Sequence, residues 1–108
     1  MQRILLPTDF SDHSRASALY AAQLAHLMNV RLDIAHVTDI VPSLGIYEST
    51  QQLADQKLRG EFNKLVKVME EQVGESFAYE TFLLSGTTTS TLAALAERYE
   101  LVIMSSKG

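Results

Sequence analysis

Side chains of the types and spacing that do chemistry fall in a few places along this chain. The clearest is Pro7-Thr8-Asp9-Phe10-Ser11, a carboxylate among hydroxyls directly after the apolar run Ile4-Leu5-Leu6. A carboxylate there offers several acceptor sites, enough to take the hydroxyls of a sugar or a metal-bound water. A lone Asp before a helix more often caps it and offsets its positive end; beside Pro7 and Thr8 at the end of a strand, Asp9 reads instead as a binding residue. A second cluster is Gly86 followed by Thr87-Thr88-Thr89-Ser90-Thr91. Threonine caps helices well and extends them poorly, so the run reads as a helix start, while Gly86 serves the turn and permits close approach of a ligand.

The last cluster, Ser105-Ser106-Lys107-Gly108, lacks the Gly-x4-Gly-Lys-Ser/Thr spacing of a P-loop and the Gly-x-Ser-x-Gly elbow of a serine hydrolase. Lys107 reads as a solvated lysine. His13 and His26 lie on one expected helix without metal-ligand spacing, and His36, in an apolar strand, reads as a satisfied core histidine. No metal site is indicated.

These groups depend on the elements that carry them. After the first strand, Ser11 can accept from the free amides of a helix start, and Ala18, Ala21, Ala22, Ala25 and Met28 recur at helical spacing up to a left-handed cap at Asn29. Val30 to Val37 reads as a second strand. Residues 38–49 contain Pro42 and Gly45 and no periodicity, so they form a long connection of the kind that carries function. From about Thr50 to Val73 an amphipathic helix places Leu58, Phe62, Leu65, Val66, Met69 and Val73 on one stripe, and Gly74 stops it. Ser76 to Leu84 is a third strand whose early alternation puts it at a sheet edge. A short helix then turns Leu92, Leu95, Ala96 and Tyr99 inward, and Leu101 to Met104 is a fourth strand.

The order β-α-β-α-β-α-β, with continuous apolar strands one, two and four, predicts a parallel sheet with helices on both faces. Right-handed crossovers then bring Asp9, Val37, Gly86 and Ser105 to one rim.

Composition narrows the function classes. A chain of 108 residues is one domain, and 46% hydrophobic with 20% charged residues excludes a disordered chain. Nine Lys and Arg against thirteen Asp and Glu give a net charge of -4 with the basic residues scattered, which argues against nucleic acid as the main partner. With no cysteine there is no disulfide, thiol nucleophile or thiolate metal site, which fits a reducing cytosol. No apolar run approaches the roughly 20 residues of a membrane span, and Met1 to Leu6 is too short for a signal-peptide core. The expected location is the cytoplasm, with no membrane partner.

Ile4-Leu5-Leu6-Pro7-Thr8-Asp9-Phe10-Ser11 resembles the opening signature of the universal stress protein family. Ala35-His36-Val37 is similar to the end of that family's second strand, and Val102-Ile103-Met104-Ser105-Ser106-Lys107-Gly108 to the start of its nucleotide loop. The resemblance implies a flavodoxin-like or Rossmann-like sheet of order 3-2-1-4-5, usually in a dimer. It also implies that Asp9, with Pro7 and Thr8, lies by the adenosine of a bound ATP or AMP, that main-chain atoms of Val37 meet the adenine, and that Met104 lies beside it. Mg²⁺ would accompany ATP. In the family loop, Gly-x2-Gly-x9-Gly-Ser/Thr, Ser105 stands at the first glycine and Gly108 at the second.

The rest of that loop, a final helix and the fifth strand have no counterpart in these residues. Residues 1–108 are therefore expected to be a single domain of this family, C-terminally incomplete, with order 3-2-1-4. Leu101 to Met104 would then be an apolar edge that calls for cover, by a further segment, a tandem domain or a second subunit. The expected function is a stress-response adenine-nucleotide module that regulates partners or dimerisation. The alternative is a dimerising interaction domain without nucleotide. No strong catalytic base is visible, so any ATPase activity is expected to be slow. A phosphoacceptor receiver domain needs an aspartate where this chain has Leu84-Ser85-Gly86, and is set aside.

Overall fold

Ile4, Leu5 and Leu6 are all fully or almost fully buried, and a strand with no wet face must lie inside a sheet covered on both sides. The computed structural model describes residues 3–38 and 48–104. Its strands are β1 (Arg3–Pro7), β2 (Arg31–Thr38), β3 (Tyr79–Ser85) and β4 (Leu101–Val102). They form one parallel sheet of order β3-β2-β1-β4, the 3-2-1-4 arrangement expected from the sequence, with β3 at an edge. Helices α1 (Asp12–Met28) and α2 (Glu48–Val73) cover one face, and α3 (Thr88–Ala96) stands against the other.

On the first face, Ile4, Leu6, Leu32 and Ile34 meet Ala18, Ala21, Ala22 and Ala25 of α1 and Phe62, Leu65, Val66 and Met69 of α2 in one core. Alternation along the strands sends Leu5 and Asp33 to the opposite, α3 face. The ends of α1 follow from its sequence. Ser11 is extended (φ -76°, ψ 166°) and its Oγ accepts the Ser14 amide at 3.3 Å; Asn29 is left-handed (φ 55°, ψ 47°) and its amide donates to the carbonyls of Ala25 and His26. Gly74, at φ 88°, ends α2.

The structure shortens two strands relative to the sequence reading. β3 begins at Tyr79 rather than Ser76, because β2 begins only at Arg31 and Leu32 is the residue that faces Tyr79. β4 holds two residues rather than four. The Leu5 carbonyl accepts from the Ile103 amide, so the next β1 nitrogen aimed at β4 belongs to Pro7, which has no hydrogen to give. The ladder stops there, and Met104 beyond it is exposed, as is Leu101 on the edge strand itself. In α3 the expected inward residues Leu92, Leu95 and Ala96 are half-buried while Ala93 and Ala94 are exposed, and Tyr99 also turns inward but lies beyond the end of the helix.

Tyr99 answers to an unexpected partner. Asp33 is fully buried in the middle of β2, where an uncompensated carboxylate would cost several kcal/mol. Its Oδ1 accepts from Arg31 Nε at 2.6 Å, and its Oδ2 accepts from Arg31 Nη2 at 3.0 Å and from the Tyr99 hydroxyl at 2.5 Å. Arg3, the register partner of Arg31, sets Nη1 3.7 Å from Oδ2 and its guanidinium 5.4 Å from the centre of the Tyr99 ring. The bond to Asp33 raises the Arg31 pKa above its ordinary value. Burial, and then the hydrogen bond to Asp33, push the Tyr99 phenol up to about 12 from 10.

The folded pKa of Tyr99 lies above the unfolded one, so its contribution to stability is complete below pH 10 and is lost as the pH rises towards 12. In denaturant melts across that range, the stability difference between the protein and Tyr99→Phe should shrink steadily. A difference that stays constant through pH 12 would contradict the assignment.

Candidate functional site

Where β1 leaves the sheet, Thr8 consumes all of its polar groups in a few contacts. Its amide donates to the Ala35 carbonyl at 2.8 Å, and its own carbonyl lies 2.8 Å from His36 Nδ1. A carbonyl cannot donate, so Nδ1 carries the hydrogen. The Thr8 hydroxyl donates to Ser14 Oγ at 3.1 Å and accepts from the Phe10 amide at 3.1 Å. Ser14 passes its own hydrogen to the Ser11 carbonyl at 2.9 Å. Strand end, turn and the first turn of α1 are thus tied together through one buried threonine.

The tie forces Phe10 into the left-handed region at φ 63°, an outlier for a bulky side chain that persists only where its surroundings over-determine it. Here the surroundings are aromatic. The Phe10 ring lies 4.9 Å from His36 and 5.0 Å, edge to face, from Phe62, which anchors the turn to β2 and α2 together. Asp9 is left exposed at the crest of the turn, with Oδ1 accepting the Ser11 amide at 2.9 Å.

The other expected site residues divide. Val37 lies on β2 two residues beyond Ala35, the Thr8 partner, and is nearly buried. Next to it, Thr38 Oγ1 is buried without a hydrogen-bond partner among the described residues. Gly86 is engaged in the fold: its amide donates to the Thr38 carbonyl at 3.1 Å, and at φ +148° an added Cβ would sit 2.6 Å from Thr91 Oγ1. Thr87 occupies the cap position of α3 but makes no side-chain capping bond. Pro7 and Met104 meet across a cavity of about 420 Å³ on the α3 face, floored by Leu5 and Val102 and walled by α3 residues such as Thr88 and Leu92. Asp9, Val37 and Gly86 are not among the residues lining it. Ser105, Gly108 and Lys107 lie outside the described residues, as does most of the long connection between β2 and α2. Among the described residues no cluster of His, Asp and Glu could hold a metal ion, and no helix is long and apolar enough to cross a membrane.

Sequence reasoning named the turn but missed its supports. His36 stands under the turn through Thr8, and Ser14 secures it from α1. The signal for Ser14 was present, since a hydroxyl three residues after a capping serine is placed to share that cap.

An open parallel sheet whose built turn sits at the carboxyl end of β1, beside the point where the chain order reverses between β2 and β4, is a doubly wound α/β protein, an architecture whose ligands in general sit at such a switch point. The family model for the Universal stress protein family matches residues 1–108, and the chain belongs to that family. Universal stress protein MJ0531 of Methanocaldococcus jannaschii is 28% identical over 113 residues, covering 99% of this chain, and this chain spans 65% of that relative's length. Solved structures share the fold. A universal stress protein in complex with cAMP superposes with TM-score 0.69 at 19% identity, over 94% of this chain and 69% of the other. A universal stress protein family protein of Arabidopsis thaliana with AMP bound gives 0.59 at 11% identity, over 100% and 78%. UspA of Lactobacillus plantarum gives 0.65 at 20%, over 99% and 78%.

Replacing Thr8 by valine preserves shape while removing the hydroxyl, which orphans the Phe10 amide and one side of Ser14. The expected loss of folding stability is about 1–3 kcal/mol, measured by urea denaturation. A smaller loss than that of an exposed Thr89→Val control would refute the role of Thr8 as the hub of the turn.

Proposed function

We propose that this protein is a stress-response module that binds an adenine nucleotide, ATP or AMP, at the rim built on Pro7, Thr8 and Asp9, and that occupancy regulates dimerisation or partner binding. The observation that carries the reading is the turn itself. Thr8 spends its polar groups inward and Phe10 accepts an unfavourable backbone angle, and the result is an exposed carboxylate at the switch point. A fixed carboxylate there suits the vicinal hydroxyls of a ribose. The residues around it fit the rest of a nucleoside: Val37 offers main-chain atoms, Thr38 Oγ1 is a buried polar group without a partner among the described residues, and Pro7 and Met104 supply apolar surface. The cAMP and AMP complexes of family structures support the ligand class.

Asp9 is the residue for the ribose hydroxyls and Val37 for the adenine; Ser105 and Gly108 are the sequence positions for phosphate, with Mg²⁺ entering alongside ATP. Affinity comes from preformed geometry, and hydrolysis, if ATP is bound, is slow for want of a base. The site of action is the cytoplasm. A second reading, an interaction domain that works without nucleotide, draws on the exposed Leu101 and Met104 beside a two-residue edge strand.

Calorimetric titration of the protein with AMP, cAMP and ATP plus Mg²⁺ should give saturable binding in the micromolar range. Asp9→Asn, which keeps an oxygen for the Ser11 amide but removes the charge, should weaken it about tenfold or more, the loss of a charge-assisted hydrogen bond, with little change in melting temperature. No heat up to millimolar nucleotide would overturn the proposal in favour of the interaction domain.

A further inference from the structure

The charged cluster around Asp33 lies at the amino end of β1 and β4, away from the rim, and the fold does not need a carboxylate there for burial. Its neighbours on the α3 face include the apolar Leu5. What the cluster does is reach the connection between α3 and β4. That connection has few other anchors: α3 buries no residue, its end at Glu97 is right-handed rather than closed by a left-handed cap, and β4 meets β1 at only two register pairs, Ile4 with Leu101 and Leu5 with Val102. Tyr99 is two residues from the first of these pairs. Its hydroxyl on Asp33 and its ring under Arg3 tie it to β2 and β1 together.

We propose that Tyr99, held by Asp33, Arg31 and Arg3, is a positioning residue that fixes the register of β4 on β1 and thereby places Met104 at the rim. Only the identity of the rim ligand rests on the nucleotide reading. A two-residue ladder discriminates weakly between registers, and a slip of one residue would turn Val102 off the cavity floor and reverse the face on which every later side chain falls. A side-chain bond fixed to the middle of a buried strand removes that freedom. Arg31 pairs with both oxygens of Asp33 independently of Tyr99, so removing the phenol oxygen loosens the pin without leaving the carboxylate unpaired.

Site-resolved amide hydrogen exchange tests this on the intact protein. In Tyr99→Phe the Ile103 amide, bonded to the Leu5 carbonyl, should exchange about tenfold faster, as expected for loss of a hydrogen bond to a charged group. The Leu32 and Thr8 amides, bonded to Ala78 and Ala35, should accelerate by no more than the global loss of stability read in the denaturant melts, well short of the change at Ile103. Uniform acceleration of all three would mean a general stability contact and overturn the proposal, as would no change at Ile103. If Tyr99→Phe does not fold, Arg31→Leu combined with Asp33→Leu supplies the second test, since an apolar pair can replace a buried ion pair without loss of the fold. It too must loosen Ile103 selectively, and intact protection there would refute the pin. Saturating ATP should slow Ile103 exchange in the parent and in Tyr99→Phe by the factor 1 + [ATP]/Kd. If the parent binds ATP by calorimetry yet Ile103 exchange does not slow, the coupling of β4 to the site is refuted. If the parent binds no nucleotide, the nucleotide reading fails while the mutational result still decides the pin.

Discussion

A parallel strand buried on both faces and paired along both edges has no water to fall back on, so every polar group it releases on leaving the sheet must be met by protein. β1 is that strand, and the way it ends determines the rest. Its last proline denies β4 a longer ladder, and the threonine that follows gathers β2, the turn and α1 about itself. The carboxylate of Asp9 is displayed because the residues on either side of it are spoken for. The turn and the fold share one hydrogen-bond network, so a change that loosens the network acts on both.

Asp33, inside the sheet and away from the rim, shows the same economy. Ion pairs of this kind contribute little net stability, because desolvating the charges consumes most of the attraction between them. Their geometric demands are another matter. A bidentate guanidinium fixes the carboxylate in a plane, and a fixed carboxylate fixes whatever donates to it, which is why a tyrosine outside any regular element is as well located as one inside a strand.

The sequence exposed the parts of this structure that arise from local pattern. Periodicity and caps located α1 to within a residue at each end, since Ser11 and Asn29 carry their instructions in their own side chains. Continuous apolar runs gave the parallel sheet, and the alternation at Phe77 and Tyr79 gave its edge. What stayed hidden came from pairs distant in the chain. Asp33 in an apolar strand could not announce Tyr99, 66 residues away, and His36 could not announce Thr8. β4 was read too long because its four apolar residues say nothing about the missing hydrogen on Pro7. The rim turn was legible by its residue types, while the left-handed angle of Phe10 was not, since a bulky aromatic gives no local reason to adopt it.

The seam between α1 and the sheet is made of Ala18, Ala21, Ala22 and Ala25, none more than 1% exposed. Alanine has no rotamers, so α1 gave up no side-chain entropy at these four positions and can answer a disturbance there only by shifting as a body, leaving any repacking to Ile4, Leu6, Leu32 and Ile34 across the seam. The first turn of α1 is fastened to Thr8, which also holds the Phe10 amide, so the same helix that is tied to the rim at one end carries Leu27 and Met28 into solvent at the other.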